Sequence, residues 1–492
     1  MDASLNQQAV LATVTTLTIP PRVNHIFPER ILRDILDLSI EGPVLLPPPR
    51  DDERRLLTQV CREWRRVILS TPTYWTSFDF ARWAAQHPND LFRLAECFFY
   101  RSGNTTSISI RFGTRLQSDI GRSIFELVIR PRAHRVCYFS CSITKDSLRI
   151  LFSGLDPVNF QVLRVLDVAV ICDLNGTIAS RFPVSDSIDL SGFQRAPRLQ
   201  YATLHVLNGI HPNDLKLPWG QLTRIDLGHT SVQVHVFRRI MEESVFLEEG
   251  VFCINFAHCY DGQPTRLRRI SIPLLRSLTL RLYEPSQDSR LFGSLDIPLL
   301  EILWVEREEA GRARRDMTIY ETLIGSMNAN LKHFTIAEFS IPTTRWFIPR
   351  LTRSPRITYQ QLDGVVRSCR HLTSLFLDSG VFIDPLVLEK MATGEFLPFL
   401  EQLGISSVKG WDIIWMVKKK NFASTLPDSG PSSSPAIRSS RPVALNYLRL
   451  SIMGCGFDET DIQKLEDAAR ALDLVRGYRI RPTDIADASN FD

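Results

Sequence analysis

Cys253, His258 and Cys259 lie close together and are of the types that bind metal ions. Thiolates and imidazoles at short spacing are ligands for Zn²⁺, which usually takes four of them from two closely spaced pairs. No second pair follows at a suitable distance, and Cys253 stands in an apolar stretch typical of a strand. The pattern favours packing over coordination, so we predict no metal and no cofactor.

The sequence also lacks the spacing of known catalytic motifs. Cys137 and Cys141 are four residues apart in a predicted strand, which is a poor ligand geometry without partners. No phosphate-binding GxxxxGK[ST] loop, HExxH or GxSxG occurs in the chain. We therefore predict that the chain is not an enzyme and that its function depends on binding surfaces.

The run from Leu56 to Phe78 is the segment whose residue pattern most strongly indicates a binding surface. Its apolar residues have helical spacing, and charged residues occupy the other face. Pro72 disfavours helical geometry in the residue before it, so the predicted helix ends there, before Tyr74 and Trp75. The apolar positions are Leu56, Leu57, Val60, Cys61, Trp64, Val67 and Ile68.

A second short helix is predicted upstream, over residues 26–40. Pro28 stands in its first turn, where proline is tolerated. Residues 41–53 contain three consecutive prolines, which forbid helix. The second helix has its own apolar stripe, formed by Ile31, Leu32, Ile35, Leu36 and Leu38.

Residues 24–78 resemble an F-box. Phe27-Pro28, Ile31-Leu32 and Ile35 are similar to its opening Leu-Pro-x-Glu-[IL]-Leu-x-x-Ile, although Arg30 takes the usual glutamate position. Leu57, Val60-Cys61-Arg62, Trp64-Arg65, Pro72 and Trp75 resemble its second half, although the loop between the halves is longer than usual.

The resemblance implies binding to a Skp-family adaptor, which links F-box proteins to a cullin–RING ubiquitin ligase. Two short helices and a turn cannot enclose all the large apolar side chains among themselves, so burial shared with an adaptor is expected. The alternative is that some of these side chains, Trp64 above all, face the interior of the F-box or the first repeat. The expected adaptor-binding residues are Phe27, Pro28, Ile31, Leu32, Ile35, Leu57, Val60, Cys61, Trp64, Pro72 and Trp75.

The composition agrees with an interaction protein. At 492 residues the chain exceeds the size at which single cores stop growing. Its formal charge of +4 argues against a nucleic-acid binder, and no stretch is apolar enough to predict a membrane span. The nine cysteines are scattered, which favours free thiols in a reducing compartment, cytoplasmic or nuclear.

After residue 130 an apolar template L-x-x-L-x-L recurs. Its final L-x-L predicts a short strand with both apolar residues on one face, and such units must stack to cover that face. The widest gap between anchors leaves room for another strand near Val251 to Phe256. The copies begin at Leu163, Leu199, Leu222, Leu275, Leu300, Leu331, Leu372, Leu400 and Leu445, with a weaker copy at Val136.

These units resemble irregular leucine-rich repeats with insertions. Residues 79–130 read as a helix from Leu91 to Tyr100, a turn at Gly103 and a strand from Ser107 to Phe112. That order resembles the segment that follows the F-box in large fungal families of F-box proteins with leucine-rich repeats.

The predicted fold class is α/β, with a small all-α F-box module followed by a leucine-rich-repeat solenoid. The predicted segments are a disordered N-terminus (1–23), the F-box (24–78), a connecting segment (79–130), the repeats (131–480) and a tail (481–492). Within the repeats, the Ser- and Pro-rich residues 421–442 are predicted to be disordered. A helix is predicted to begin near Asp458 and to cap the repeats.

The predicted function is substrate recognition in a Skp–cullin–F-box ubiquitin ligase, with the adaptor on the F-box and a target protein on the repeats. The alternative is an interaction scaffold in which the F-box is only an N-terminal cap. Lys418-Lys419-Lys420 allows a nuclear-import patch, although such charge runs are usually surface features. The sequence does not identify the target; candidate contact positions are Arg276, Thr279, Trp304 and His333.

Overall fold

The computed structural model describes most of the chain between residues 27 and 483. The described residues are 27–80, 88–113, 118–144, 147–148, 151, 160–171, 190–206, 216–256, 268–283, 288–308, 323–325, 330–339, 356–357, 365, 369, 371–377, 382–407, 410–425, 442–453, 459–472 and 474–483. The predicted disordered N-terminus, residues 1–23, lies outside them.

The fold is mixed α/β and is dominated by one parallel sheet. Each of its fifteen strands pairs with its neighbours in chain order, while β9 with β11 and β14 with β16 form two separate parallel pairs. The strands are β1 (Val44–Leu45), β2 (Ser77–Asp79), β3 (Ile108–Phe112), β4 (Val136–Thr144), β5 (Val165–Ile171), β6 (Tyr201–Val206), β7 (Arg224–Gln233), β8 (Glu249–Asn255), β9 (Ile270–Ser271), β10 (Ser277–Tyr283), β11 (Leu295–Asp296), β12 (Ile302–Glu308), β13 (His333–Phe339), β14 (Arg356–Ile357), β15 (Ser374–Leu377), β16 (Phe382–Ile383), β17 (Gln402–Ser407), β18 (Tyr447–Met453) and β19 (Tyr478–Thr483).

Helices lie between many of the strands. The described residues also include short 3-10 turns at Pro72–Trp75, Arg130–Arg135, Ser191–Phe193 and Trp219–Gln221 and a π-helix at Phe125–Ile129. The α-helices are α1 (Glu29–Ser39), α2 (Glu53–Leu57), α3 (Arg62–Ser70), α4 (Pro88–Arg101), α5 (Ser118–Ile124), α6 (Val234–Glu243), α7 (Asp288–Phe292), α8 (Pro385–Thr393), α9 (Gly410–Thr425) and α10 (Glu459–Arg470).

The core lies on one face of the sheet. Successive strand residues alternate between the two faces, so the two apolar positions of each L-x-L point the same way. In β10, for example, Leu278, Leu280 and Leu282 are fully buried while Thr279 and Arg281 are only half-buried. The first anchors, from Leu163 to Leu445, are also buried. Helices cover this face. The α9 backbone at Gly410, for example, comes so close to Leu450 of β18 and Leu465 of α10 that a Cβ atom there would touch both.

A repeated hydrogen-bond pattern joins successive strands at their first residues. The amides of Gln200 and Tyr201 both donate to the Arg164 carbonyl, at 2.9 and 3.0 Å, and the amides of Thr223 and Arg224 both donate to the Gln200 carbonyl. The same double donation is made to the carbonyls of Thr223, Glu248, Arg276, Glu301, Lys332, Thr373 and Glu401. The strand starts are thus equivalent although the segments between them differ in length.

The predicted extra strand is confirmed. Strand β8 pairs in parallel with β7 on one side and β10 on the other, in the gap between Leu222 and Leu275. Between β7 and β8, α6 packs on the core and buries Phe237 and Ile240.

The N-terminal region differs from its prediction in one respect. The run that begins at Leu56 is not one helix, because α2 ends at Leu57 and α3 begins after Cys61. The carbonyl of Thr58, in the intervening turn, accepts a hydrogen bond of 2.9 Å from Arg65 Nε. This bond gives the Thr58 carbonyl, in the turn between the two helices, a hydrogen-bond partner. The predicted end before Pro72 is confirmed at Ser70.

The sheet begins inside the predicted 24–78 module. Val44 of β1 pairs with Phe78 of β2, and Phe78 pairs with Ile110 of β3. Strand β2 ends at Asp79, and buried side chains from Leu32 onward join the same core as the later strands. The boundaries at 78/79 and 130/131 therefore do not separate independent cores. The predicted helix, turn and strand of 79–130 are confirmed as α4, Gly103 with φ +68° and β3.

Two predictions near the C-terminus are wrong in part. Residues 421–425 form the last turns of α9 and so are not disordered, while residues 426–441 lie outside the described residues. The helix predicted near Asp458 is confirmed as α10, but β19 follows it and pairs with β18. The predicted boundary between repeats and tail, at 480/481, thus falls inside a strand.

None of the described helices is long and apolar enough to cross a membrane.

Candidate functional site

The first candidate surface is formed by α1, α2 and α3. Arg66 of α3 forms salt bridges of 2.8 Å to Glu29 of α1 and 2.6 Å to Glu63. Hydrogen bonds from Arg66 and Arg33 hold the pKa of the Glu29 carboxyl below its usual value. Because these contacts join α1 to α3, they fix the relative position of two helices that carry the predicted binding residues.

The predicted adaptor-binding residues divide by exposure. Phe27, Pro28, Ile31 and Val60 are exposed, with Phe27 53%, Ile31 44% and Val60 60% accessible. Leu56, which was not among them, is exposed as well. Half-buried are Ile35, Leu57, Cys61, Trp64 and Pro72, and buried are Leu32 and Trp75.

Trp75 is covered by the chain itself. Its ring stacks on Phe98 of α4 with centroids 5.2 Å apart, and the Arg101 guanidinium lies 4.9 Å from the Trp75 ring centroid. Its indole Nε1 donates to the Ile68 carbonyl at 2.9 Å. Trp75 and Leu32 thus serve the internal packing of this region, and the exposed members of the set remain for a partner.

Arg54 joins several segments of this region through hydrogen bonds, although nothing in the local sequence indicates that it is buried. It is buried and donates from Nε to the Tyr74 carbonyl at 2.9 Å and from Nη2 to the Gly42 carbonyl at 2.5 Å. Burial lowers the pKa of the guanidinium. In the stretch RDDERR an arginine reads as a surface residue, and only the fold shows that it ties α2 to the turns beside β1 and β2.

The second candidate surface is the open face of the sheet, defined as the face opposite the core. Residues in register across it include Thr279 of β10, Trp304 of β12 and Thr335 of β13. Trp304 is 43% exposed there, as its position in the L-x-L pattern predicts. Thr279 is half-buried beside it.

The other two predicted contact positions lie at strand starts. Arg276, exposed just before β10, forms a salt bridge of 3.2 Å to Glu301. His333 opens β13 and is half-buried; burial, and then the neighbouring Lys332 charge, lower the pKa of its imidazole. The structure thus places all four predicted positions on or beside the open face.

A polar network occupies the middle of the open face. Arg281 forms a 2.6 Å salt bridge to Glu306, and the rings of His205 and His229 lie 4.7 Å apart. Burial, followed by the Arg281 charge, lowers the pKa of His229. His205 Nε2 lies 3.8 Å from an Asp226 oxygen, which is longer than the reach of a general acid–base pair. This network fits structural packing of polar groups.

No group of three metal-ligating side chains occurs among the described residues. Cys253 is buried in β8, where burial raises the pKa of its thiol to about 12, while His258 and Cys259 lie outside the described residues. Cys137 donates weakly to the Ile108 carbonyl, with Sγ at 3.4 Å, and Cys141 is buried in the core.

A pocket of about 320 Å³ opens on the sheet face near its last strands. Trp304, Phe376 and Tyr447 form its aromatic lining, and Arg449 and Arg479 lie at its other end. Of these lining residues only Trp304 is among the contact positions predicted from the sequence, because positions that alternate with the core leucines follow no pattern of their own.

The fold defines this chain as a mixed α/β protein with one large parallel sheet. No family model matches it, and no curated protein matches it.

Proposed function

We propose that this chain is the substrate-recognition subunit of a Skp–cullin–F-box ubiquitin ligase. The N-terminal helices bind a Skp-family adaptor, and the open face of the sheet binds the target protein. In this role the chain acts in the cytoplasm or the nucleus and is not itself the catalyst.

The observation that carries the proposal is the set of exposed apolar residues on and beside the N-terminal helices, with Phe27 just before α1 and Val60 in the turn between α2 and α3. Leu36, Val67 and Ile68 already fill the interior of this small region, so it does not need Phe27 or Val60 for its own core. Large apolar side chains left outside a filled core are typical of a protein interface. They fall at positions that match the F-box pattern in the sequence.

The sheet supports the second half of the proposal. Parallel strands follow one another in chain order, and an equivalent hydrogen-bond pattern opens most of them. Repeated units of this kind, with irregular insertions, are what an irregular leucine-rich-repeat solenoid requires. Such a solenoid offers a long open face to a partner, and the exposed Trp304 is one candidate contact on it.

The mechanism is positioning. An adaptor held by the helices and a target held by the sheet become parts of one assembly, in which the target's lysines meet the ubiquitin-loaded enzyme at high effective concentration. The residues of this chain then supply binding and orientation, and the assembly's other subunits supply the transfer chemistry.

The test is co-purification of the full chain with a Skp-family adaptor. Wild type is expected to retain the adaptor through size-exclusion chromatography. Val60→Asp, which puts a charge among the exposed apolar residues, is expected to lose it. Val475→Asp is the matched control, because Val475 is 91% exposed and lies near β19, far along the chain from the helices. A wild-type chain that fails to retain the adaptor would show that the proposal is wrong.

One observation favours the alternative, a scaffold without ligase assembly. Strand β1 is the first strand of the sheet and lies between α1 and α2, so the helices cover one end of the sheet as a cap does. A folded chain that binds target but no adaptor would support the scaffold.

A further inference from the structure

The outer face of α9 carries large aromatic side chains that the fold leaves uncovered. Trp411, Trp415 and Phe422 are 49%, 51% and 64% exposed, and the exposed Lys418 lies among them. The four residues are spaced at i, i+4, i+7 and i+11, so they form one continuous stripe along the helix, the α9 stripe.

The opposite face of α9 already fills the core. Ile413, Met416 and Val417 are buried there, and the helix packs against α8 and α10. A helix with contacts on one side only usually carries polar residues on its other side. Large apolar residues on both sides are typical of a helix with neighbours on both, so the α9 stripe indicates a partner.

Two charged residues beside the α9 stripe limit what that partner can be. Asp412 and Lys419 are seven residues apart, so they lie on the same flank of the helix, about 10 Å from each other along its axis. Both are half-buried, and within the described part of the chain neither forms a salt bridge. The Lys419 Nζ lies 4.9 Å from the Trp415 ring centroid. A complementary partner therefore places a cation opposite Asp412 and an anion opposite Lys419.

A second copy of α9, running antiparallel, meets this requirement. When two identical helices pack antiparallel about a two-fold axis, the same flank of each helix faces the other copy. An axis beside Trp415 lies midway between residues 412 and 419, so Asp412 of each copy faces Lys419 of the other and the ion pair forms twice. A parallel pair would instead place Lys418 beside Lys418 of the second copy, where the two charges repel.

A membrane fits the α9 stripe less well. A helix that lies on a bilayer carries its charged residues on the side away from the lipid, whereas Lys418 lies in the middle of the aromatic residues. Asp412 on the flank and the exposed Glu389 of the adjacent α8 would be repelled by anionic headgroups.

We infer that α9 is a dimerisation helix, through which two copies of this chain associate by antiparallel packing of their α9 stripes. Because α9 lies on the core side of the sheet, such a dimer leaves the open face and the N-terminal helices accessible. Dimerisation through α9 goes beyond the proposed ligase function and does not depend on it.

The size of the contact sets the expected affinity. The helix has 16 residues and is about 24 Å long, which is small for a stable interface of about 800 Å² on each partner. We therefore expect a reversible monomer–dimer equilibrium with a dissociation constant of about 1–100 µM.

The test is sedimentation equilibrium of the full chain over that concentration range. Wild type is expected to approach the mass of two chains at the upper end. Trp415→Ala is expected to weaken dimerisation about tenfold or more, since it removes a large apolar contact on both sides of the axis. Tyr100→Ala is the matched control, because Tyr100 is an aromatic residue of α4 that is 85% exposed, and it is expected to dimerise like wild type.

Charge reversal tests the antiparallel geometry. Asp412→Lys alone is expected to weaken dimerisation about tenfold, because the new lysine faces Lys419 of the second copy at two places. Lys419→Asp alone is expected to have a similar effect, by placing two carboxylates together. The double variant again offers one anion and one cation on the flank, so its dissociation constant is expected to return to within about threefold of wild type.

A wild-type chain that stays monomeric throughout the range would overturn the inference. Single charge reversals without effect, or a double variant that restores nothing, would overturn it as well. With a monomeric wild type, binding to equimolar phosphatidylcholine–phosphatidylserine vesicles that Trp415→Ala abolishes would identify a lipid surface as the occupant. Dimerisation seen only after residues 426–441 are replaced by a Gly-Ser linker of equal length would identify that segment as the occupant.

Discussion

At the scale of single residues, Arg54 joins the N-terminal helices to the start of the sheet. Its guanidinium satisfies the carbonyls of Gly42 and Tyr74 and lies 3.6 Å from Asp52. Removing a donor from buried carbonyls leaves each without a partner at a cost of about 1–3 kcal/mol. Loss of Arg54 is therefore expected to weaken the contact between the two turns that it joins.

Arg54→Leu is expected to lower the free energy of unfolding by about 2–4 kcal/mol, measured by urea denaturation. The matched control is Arg55→Leu, because Arg55 is its exposed neighbour on α2. It is expected to stay within about 0.5 kcal/mol of wild type. Equal effects of the two substitutions would contradict the assigned role of Arg54.

Lys420 is buried, which argues against the basic surface patch that the sequence allows at residues 418–420. It is fully buried and donates from Nζ to the Leu397 carbonyl at 3.1 Å, so residues 418–420 do not form a continuous exposed basic patch. Leu397 has a φ of +46°, and the Lys420 bond holds its carbonyl in that unusual conformation. Burial lowers the pKa of Lys420 to about 8.

This pKa shift predicts a pH dependence of stability. Between about pH 8 and 10.5 the unfolded chain binds the Lys420 proton more tightly than the folded chain does, so the folded state gains stability as pH rises through that window. Wild type is expected to gain roughly 3 kcal/mol relative to Lys420→Met across it. Lys418→Met, at an exposed position, is expected to show no such change, and a flat difference for Lys420→Met would contradict the shift.

Single residues are predictable from the sequence where one local rule decides their position. The alternation of strand residues placed Trp304 on the open face before the fold was known. Nothing local marks Arg54 or Lys420 as buried, because their partners are backbone carbonyls that the tertiary fold brings near them.

At the scale of elements, strands β15 and β17 fit together through Gly404 and Phe376. Gly404→Ala is expected to cost about 1–3 kcal/mol of unfolding free energy, because the new methyl group displaces the Phe376 ring. Gly192→Ala is the matched control, since no atom lies near its Cβ position. If Phe376→Leu in the Gly404→Ala background restores no stability, the ring is not the cause.

The strands were predictable because their apolar residues alternate and recur. The break between α2 and α3 was not, since residues 58–61 contain neither glycine nor proline and the Arg65 contact that stabilises the turn is a product of the fold. Strand β19 was missed because its sequence, YRIRPT, lacks the L-x-x-L-x-L template and reads as tail.

At the scale of the whole molecule, the N-terminal helices and the pocket on the open face lie toward opposite ends of the strand order. The helices adjoin β1 and β2, and the pocket begins at β12, roughly 40 Å farther along the sheet at the usual strand spacing. Sites this far apart act independently in most proteins. The fold thus allows an adaptor and a target to be bound together.

Independence is itself testable by titrating adaptor into a pocket variant. Trp304→Ala, which changes the pocket, is expected to leave the adaptor's dissociation constant within about twofold of wild type. A change of about tenfold in either direction would mean that the two surfaces are coupled.

Adaptor binding is best measured as the affinity of the full chain for a purified Skp-family adaptor, by isothermal titration calorimetry. We predict a one-to-one complex for wild type and Val475→Asp, and at least about tenfold weaker binding for Val60→Asp, since burial of that side chain is worth more than about 1.4 kcal/mol. No heat of binding with the wild-type chain, or equal affinity for Val60→Asp, would show that these exposed apolar residues are not an adaptor-binding surface.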